Sequence, residues 1–197
     1  RSLEDVWFLM FEGHLPSAAE RSAFASEVAP LRALPPVLTE LLPALAGSFR
    51  YTAVIGDGPT ARFDAELVRY VQAGFRDFKI KLSGDLERDR AKVHSLRAAN
   101  VDAARVRADA NNLWHDADAA STHLGGLDYP FVALEEPLRA NDLAGMAQLA
   151  GRFDCAIILD ESALRSAQLV ALAAWPVRWI ANLRISKMGG LLRALEF

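Results

Sequence analysis

Three carboxylates recur along the chain at a nearly constant interval. Asp109 in RVRADAN, Glu135 in VALEEPL and Asp160 in IILDESA are separated by 26 and then 25 residues. Each closes a short apolar run of Val, Ile, Leu or Ala, just before turn-like residues. A lysine pair, Lys79 and Lys81 in FKIKL, precedes Asp109 by a similar step, and Arg184 in IANLRIS follows Asp160 by another. That period is the length of one βα unit, so successive parallel strands would each raise one polar residue to a common rim. Three acids meeting there repel one another unless a hard divalent cation neutralises them.

Strand alternation sharpens the assignment, because side chains two residues apart share a face. Lys79 and Lys81 point the same way, as do Arg107, Asp109 and Asn111, and as do Asn182, Arg184 and Ser186. Glu136 and Glu161 have the opposite parity to Glu135 and Asp160. The metal ligands are therefore Asp109, Glu135 and Asp160, with Asn111, Glu136 and Glu161 in support. An oxygen-only set of this kind suits Mg²⁺, which keeps positions open for substrate oxygens. A carboxylate substrate held there has its α-proton acidified, since the enediolate formed on proton removal is stabilised. Lys81 is the expected base, its pKa lowered by neighbouring positive charge, and Lys79 the cation that steadies the substrate carboxylate.

These residues need a frame to hold them, and the pattern supplies one. From Tyr51 onward, strand and helix signals alternate. TAVI, FKIKL, RVRADA, FVALEEP, AIILDES and WIANLRIS read as strands. Helices are expected at Ala61 to Ala73, across LERDRAKVHSLRAA, at Asp116 to Leu124, Asp142 to Ala150 and Ala163 to Ala174. Short apolar strands separated by helices mean an α/β fold, a parallel sheet covered by helices. Six strands make a partial TIM-type (β/α) barrel over residues 50–197, two units short of closure. Residues 1–49 differ in texture and read as a separate helical segment. Val6, Leu9, Met10 and Phe11 mark one helix face ended by Gly13. Ser17 and Glu20 form a capping box for a second helix, and Val37 to Leu45 form a third.

Composition narrows the classes. The 197 residues are 52% hydrophobic and 24% charged, the balance of a soluble globular protein. A net charge of −3, without basic clusters, argues against nucleic acid. No apolar run is long enough for a membrane span, because ALAAWPVRWIANL is broken by Pro176 and Arg178. Cys155 is the single cysteine, which excludes an intrachain disulfide and fits a reducing cytoplasm.

KIK, DAN, EEP, DES and LRISKMGG, in this order and spacing, resemble the enolase superfamily. The likeness is to its muconate lactonizing, o-succinylbenzoate synthase and dipeptide epimerase group, and it covers about residues 50–197. The resemblance implies Mg²⁺ at Asp109, Glu135 and Asp160, a base at Lys81 and an electrostatic partner at Lys79. The group carries a second lysine base on the sixth strand, where this chain has Arg184. Arginine hardly deprotonates, so Arg184 is expected to act as a fixed cation or as an ion-pair partner of Asp160 or Glu161. Lys187 lies three residues on with the wrong strand parity and is not promoted to base. Residues 2–45 resemble instead a helical segment of citrate synthase, without that enzyme's catalytic residues.

The expected activity is Mg²⁺-dependent abstraction of a proton α to a carboxylate, as an isomerase, cycloisomerase or lyase on a small substrate. Two alternatives stand beside it. One is a sugar-acid dehydratase whose histidine lies beyond residue 197. The other is an inactive barrel fragment that serves as an oligomerising unit, since open sheet edges favour self-association. A homo-oligomer is expected in either case. His94, His115 and His123 read as surface residues, and the four tryptophans as packing residues.

Overall fold

The computed structural model describes residues 5, 8, 9, 12–28, 51–190 and 194. The chain divides into two compact units, Arg1–Phe49 and Arg50–Phe197. Within the first, α1 (Ala18–Val28) opens with the expected capping box. The Glu20 amide donates to Ser17 Oγ at 3.3 Å, and the Ser17 amide donates to Glu20 Oε2 at 2.8 Å. The helix expected at Val37 to Leu45 lies outside the described residues, as do Val6, Met10, Phe11 and most of the citrate synthase-like stretch.

In the second unit, strands and helices alternate. They are β1 (Thr52–Ile55), α2 (Thr60–Gln72), β2 (Asp77–Lys81), α3 (Leu86–Ala98), β3 (Val106–Asp109), α4 (Ala117–Leu127), β4 (Ala133–Glu135), α5 (Leu143–Phe153), β5 (Ala156–Leu159), α6 (Ser166–Val170) and β6 (Trp179–Ala181). All six strands are parallel and lie in sequence order in one sheet. This is the partial-barrel architecture that the strand and helix spacing predicts.

The two faces of the sheet have opposite characters. One face carries Ile55, Phe78, Ile80, Val106, Leu134, Ile157 and Leu159, all buried in the main hydrophobic core with the helices. Burial of these side chains is the chief force holding the unit together. The other face carries Thr52, Lys79, Lys81, Arg107, Asp109 and Glu135, with Ala133, Ala156 and Ile158 forming a small separate cluster. Thr52 and Val54 of β1 and Ile180 and Asn182 at the far edge line one cavity of about 260 Å³. The six strands therefore curl around a common concavity. Lys79, Arg107 and Glu135 also line it.

Helix ends are fixed locally. Asp85, Asp116 and Asp142 cap α3, α4 and α5, each side chain accepting from an amide three residues on, at 2.9, 2.8 and 3.0 Å. Gly145 in the first turn of α5 has no room for a side chain. A Cβ there would stand 2.5 Å from Leu138 and 2.7 Å from the Asp142 carboxylate.

Two elements are shorter than their sequence signals. The helix expected at Ala163 to Ala174 becomes the five-residue α6 and a 3₁₀ turn, Ala171–Ala174. Gln168 Oε1 accepts from the amides of Leu164 and Arg165 at 2.9 and 2.8 Å, which caps the helix late. The strand WIANLRIS pairs only through Ala181; Asn182 adds one bond to the Leu159 carbonyl at 2.8 Å. The chain then turns, with the Lys187 and Met188 amides donating to the Arg184 carbonyl. Among the described residues no helix is long and apolar enough to cross a membrane.

Candidate active site

Three consecutive strands deliver the three carboxylates to one rim. Lys81 pairs in register with Asp109, and Asp109 with Glu135. Glu135 is level with Ile158, so Asp160 stands one side-chain layer further along on the same face. Asp109, Glu135 and Asp160 are 0%, 2% and 1% exposed. Carboxylates this deeply buried require compensating charge.

That charge comes from the chain itself. Lys79 Nζ donates to both Glu135 oxygens, at 3.1 and 3.0 Å, and lies 3.1 Å from Asp109 Oδ2. Burial alone would lower the Lys79 pKa, but hydrogen bonding and charge from Glu135 and Asp109 outweigh it and raise the pKa. Lys79 is thus a fixed cation. Lys81 Nζ donates to Asp109 Oδ2 at 2.6 Å and to Asn111 Oδ1 at 2.5 Å. Asn182 Nδ2 adds a hydrogen bond to Glu135 Oε1 at 3.2 Å.

Asp160 is served differently. Arg184 Nη2 lies 2.5 Å from its Oδ2, and Lys187 Nζ lies 3.5 Å from its Oδ1. The Arg184 contact is one of charge without hydrogen-bond alignment, so Asp160 Oδ2 is a buried oxygen lacking a donor. Burial and then the adjacent Glu161 raise the Asp160 pKa, against the pull of Arg184 and Lys187. Lys187 reaches Asp160 although strand parity would point it away, because β6 has already ended and residue 187 sits in a turn. Its ammonium also holds Glu161 Oε1 at 2.6 Å. Burial would raise the Glu161 pKa, but this ion pair carries it below the ordinary value.

The supporting residues lie around the rim. Glu136 directly follows β4 and is 0% exposed, with a left-handed φ of 39°. Its carboxylate accepts from the Asp160 amide at 2.8 Å, the Ser162 amide at 2.6 Å and Ser162 Oγ at 3.0 Å. Glu136 thereby fixes the main chain that carries Asp160. Burial raises its pKa against these lowering bonds. Asn111, also at positive φ, faces Lys81 directly, and its amide donates to Asp109 Oδ1 at 3.2 Å.

In donor chemistry these residues fit a hard divalent cation. Asp109, Glu135 and Asp160 are oxygen donors, buried on one face of adjacent strands, and one Asp160 oxygen has no donor of its own. In their present orientations, no three acidic, histidine or cysteine side chains among the described residues enclose an ion. Lys79 bridges Asp109 and Glu135, and Arg184 faces Asp160.

A second charged cluster lies beside Lys81, and the sequence reading did not single it out. Asp89 and Lys92 of α3 are buried, at 0% and 1% exposure, with His123 of α4 at 9%. His123 is therefore not the surface residue expected from its position. Its Nε2 lies 3.0 Å from Asp89 Oδ2, and its ring packs on Trp114. A signal was available, since residues 89, 92, 93 and 96 share one helix face and two of them are Val and Leu.

Residues 62–197 match the family described as enolase C-terminal domain-like. The o-succinylbenzoate synthase of Geobacillus kaustophilus is 34% identical over 161 residues, 78% of this chain and 41% of that protein. The dipeptide epimerase structure from Enterococcus faecalis V583 superposes with a TM-score of 0.65 at 27% identity, covering 79% of this chain and 46% of that one. An enolase superfamily member from Roseovarius nubinhibens ISM, solved complexed with magnesium, shares the fold. Its TM-score is 0.64 at 23% identity, over 79% of this chain and 43% of that one. The chain spans less than half the length of the curated relatives it matches. With a family match over most of its length and a fold shared with the dipeptide epimerase structure, this chain belongs to the enolase superfamily, through its C-terminal barrel domain.

Proposed function

We propose that the barrel removes a proton α to the carboxylate of a small substrate in a Mg²⁺-dependent reaction, giving an enediolate. The observation that carries this is the placement of the Lys81 ammonium between Asp109 and Asn111, on the same rim as three buried carboxylates. A cation held by Asp109, Glu135 and Asp160 would supply positive charge to the substrate carboxylate as it gains electron density. Lys81 must first shed a proton, and then takes one from the substrate α-carbon. Lys79, raised in pKa, stays charged and binds the carboxylate. Asn111 orients the Lys81 amine, and Glu136 holds the β5 end that presents Asp160.

Chemistry with one base follows from the far side of the rim. Arg184 stays protonated, and Lys187 is held cationic by Glu161 and Asp160. Neither is available as the neutral second base with which Lys81 would have to alternate in a reversible two-sided epimerisation. Elimination or cycloisomerisation therefore suits the site better than epimerisation. Dipeptides and o-succinylbenzoate precursors are the first substrates to try, from the names of the relatives. Incubation with MgCl₂ in D₂O, followed by proton NMR and chiral analysis, tests the proposal. Exchange at the α-carbon with configuration retained supports one base, and exchange with racemisation refutes it. No exchange with any substrate defeats the catalytic reading.

One observation favours a second reading, an inactive barrel: each rim carboxylate already has a cation of the chain beside it. Thermal unfolding separates the two. If the site assembles, MgCl₂ raises the melting temperature of the parent but not that of Asp109→Asn. In both readings β1 and β6 are outer strands of the described sheet, and we propose self-association through them, to be read by sedimentation at increasing concentration.

A further inference from the structure

Lys92 is a lysine with 1% exposure, outside the rim, and all three of its ammonium protons are placed. They go to Asp57 Oδ1 at 2.8 Å, to Asp89 Oδ1 at 2.9 Å and to the main-chain carbonyl of Lys81 at 2.8 Å. The last contact matters most. The next amide, that of Leu82, donates to the Asp109 carbonyl at 2.9 Å. The peptide plane following Lys81 is thus held from both sides, once by Lys92 and once by β3. Fixing that plane restricts the backbone at Lys81 and so the direction of its Cα–Cβ bond.

Lys92 is itself braced. Asp89 accepts from the Ser83 amide at 3.0 Å, from Ser83 Oγ at 2.8 Å and from the Gly84 amide at 3.2 Å, which clamps the loop after β2. It also accepts from His123 Nε2 at 3.0 Å; an ionised acceptor there requires the proton on that nitrogen. Asp57, in the turn after β1, is shared with Arg88 at 3.1 Å. Parts of β1, β2, α3 and α4 therefore converge on one carbonyl group.

We propose that Lys92 is a positioning residue for Lys81, holding its main chain so that the side-chain ammonium is aimed between Asp109 and Asn111. This rests on the reading of Lys81 as the base only for its consequence; the positioning itself is measurable without any substrate. The test is reductive methylation of the folded chain, with the rate at each lysine read by peptide mass spectrometry. In Lys92→Met, labelling of Lys81 rises about tenfold, the factor matching loss of one charge-assisted hydrogen bond. Labelling of Lys79, anchored by Glu135 instead, stays at the parent rate.

Val93→Ala is the control for simple destabilisation, since Val93 is buried on the same helix and takes no part in these bonds. It should leave Lys81 labelling unchanged. If Lys92→Met does not fold, the double variant Lys92→Met with Asp89→Asn removes both buried charges together and is expected to show the same rise. Lys81 labelled at the parent rate in the folded variant, or accelerated equally by Val93→Ala, overturns the proposal. Absence of α-proton exchange in the parent would instead refute the base role while leaving the labelling result to decide the positioning.

Discussion

Two buried acids of the barrel unit are treated in opposite ways. Asp89 has donors on both oxygens: two main-chain amides, a hydroxyl, an ammonium and an imidazole. Asp160 has cations near it but one oxygen with no aligned donor. Burial pushes both pKa values up. At Asp89 the Lys92 and Ser83 bonds overturn that push and leave the pKa lowered; at Asp160 it stays raised. A buried carboxylate whose lone pairs are all spoken for holds structure. One left short of donors keeps the capacity to receive something else. That contrast sets Asp160 apart from Asp89 without reference to any ligand.

The largest expected effect falls on the scaffold. Lys92→Met strands the Asp89 charge, and urea unfolding should show a loss of about 3–5 kcal/mol, the cost of halving a buried ion pair. A loss below about 1 kcal/mol would mean the cluster is hydrated and the contrast is false. Next in size is the response to cation. At 100-fold excess over its Kd, MgCl₂ should add about 2.7 kcal/mol to the parent. Asp109→Asn should lose that increment, whereas Asp89→Asn, though weakened, should keep it. Calorimetry on the three proteins reads this directly, and an increment lost equally in both variants would erase the distinction.

The acid side of the stability profile gives a third handle. Asp89 has a folded pKa below its ordinary value of 3.8. The unfolded chain therefore takes up the proton first as pH falls. The stabilisation from Asp89 is complete above the unfolded value and drains away as pH drops through the folded one. Stability measured from about pH 5 downward should fall steeply in the parent and less so in Asp89→Asn. Parallel curves would show that the Lys92 pair does not hold Asp89 ionised.

Much of this contrast could be read in the sequence, though unevenly. The strands were legible because short apolar runs with polar ends recur at the βα interval, and Asp109, Glu135 and Asp160 fell where alternation puts them. Lys79, Lys81 and Asn111 were legible for the same reason. Asp89 and Lys92 were not singled out, since an Asp and a Lys three apart in LERDRAKVHSLRA look like a solvated pair. What buries them is the turn at Asp57 and the arrival of α4, both distant in sequence. Lys187 was misplaced because parity was extended past the true end of β6. Alternation holds only while the strand does, and the turn at residues 185–189 ends it.

The smallest expected effect is the most informative about Asp160. Its partners Arg184 and Lys187 are each about one third exposed, so solvent screens their pull. Glu161 beside it repels, and its Oδ2 lacks a donor. Asp160→Asn removes the repulsion and can still turn an amide oxygen toward Arg184. Unfolding free energy in the absence of added metal should therefore stay within about 1 kcal/mol of the parent. A cost comparable to that of Lys92→Met would show that Asp160 is as structural as Asp89. A negligible cost combined with loss of the Mg²⁺ increment would mark it as an acid kept at the rim for a ligand, because nothing in the fold itself would then account for burying it there.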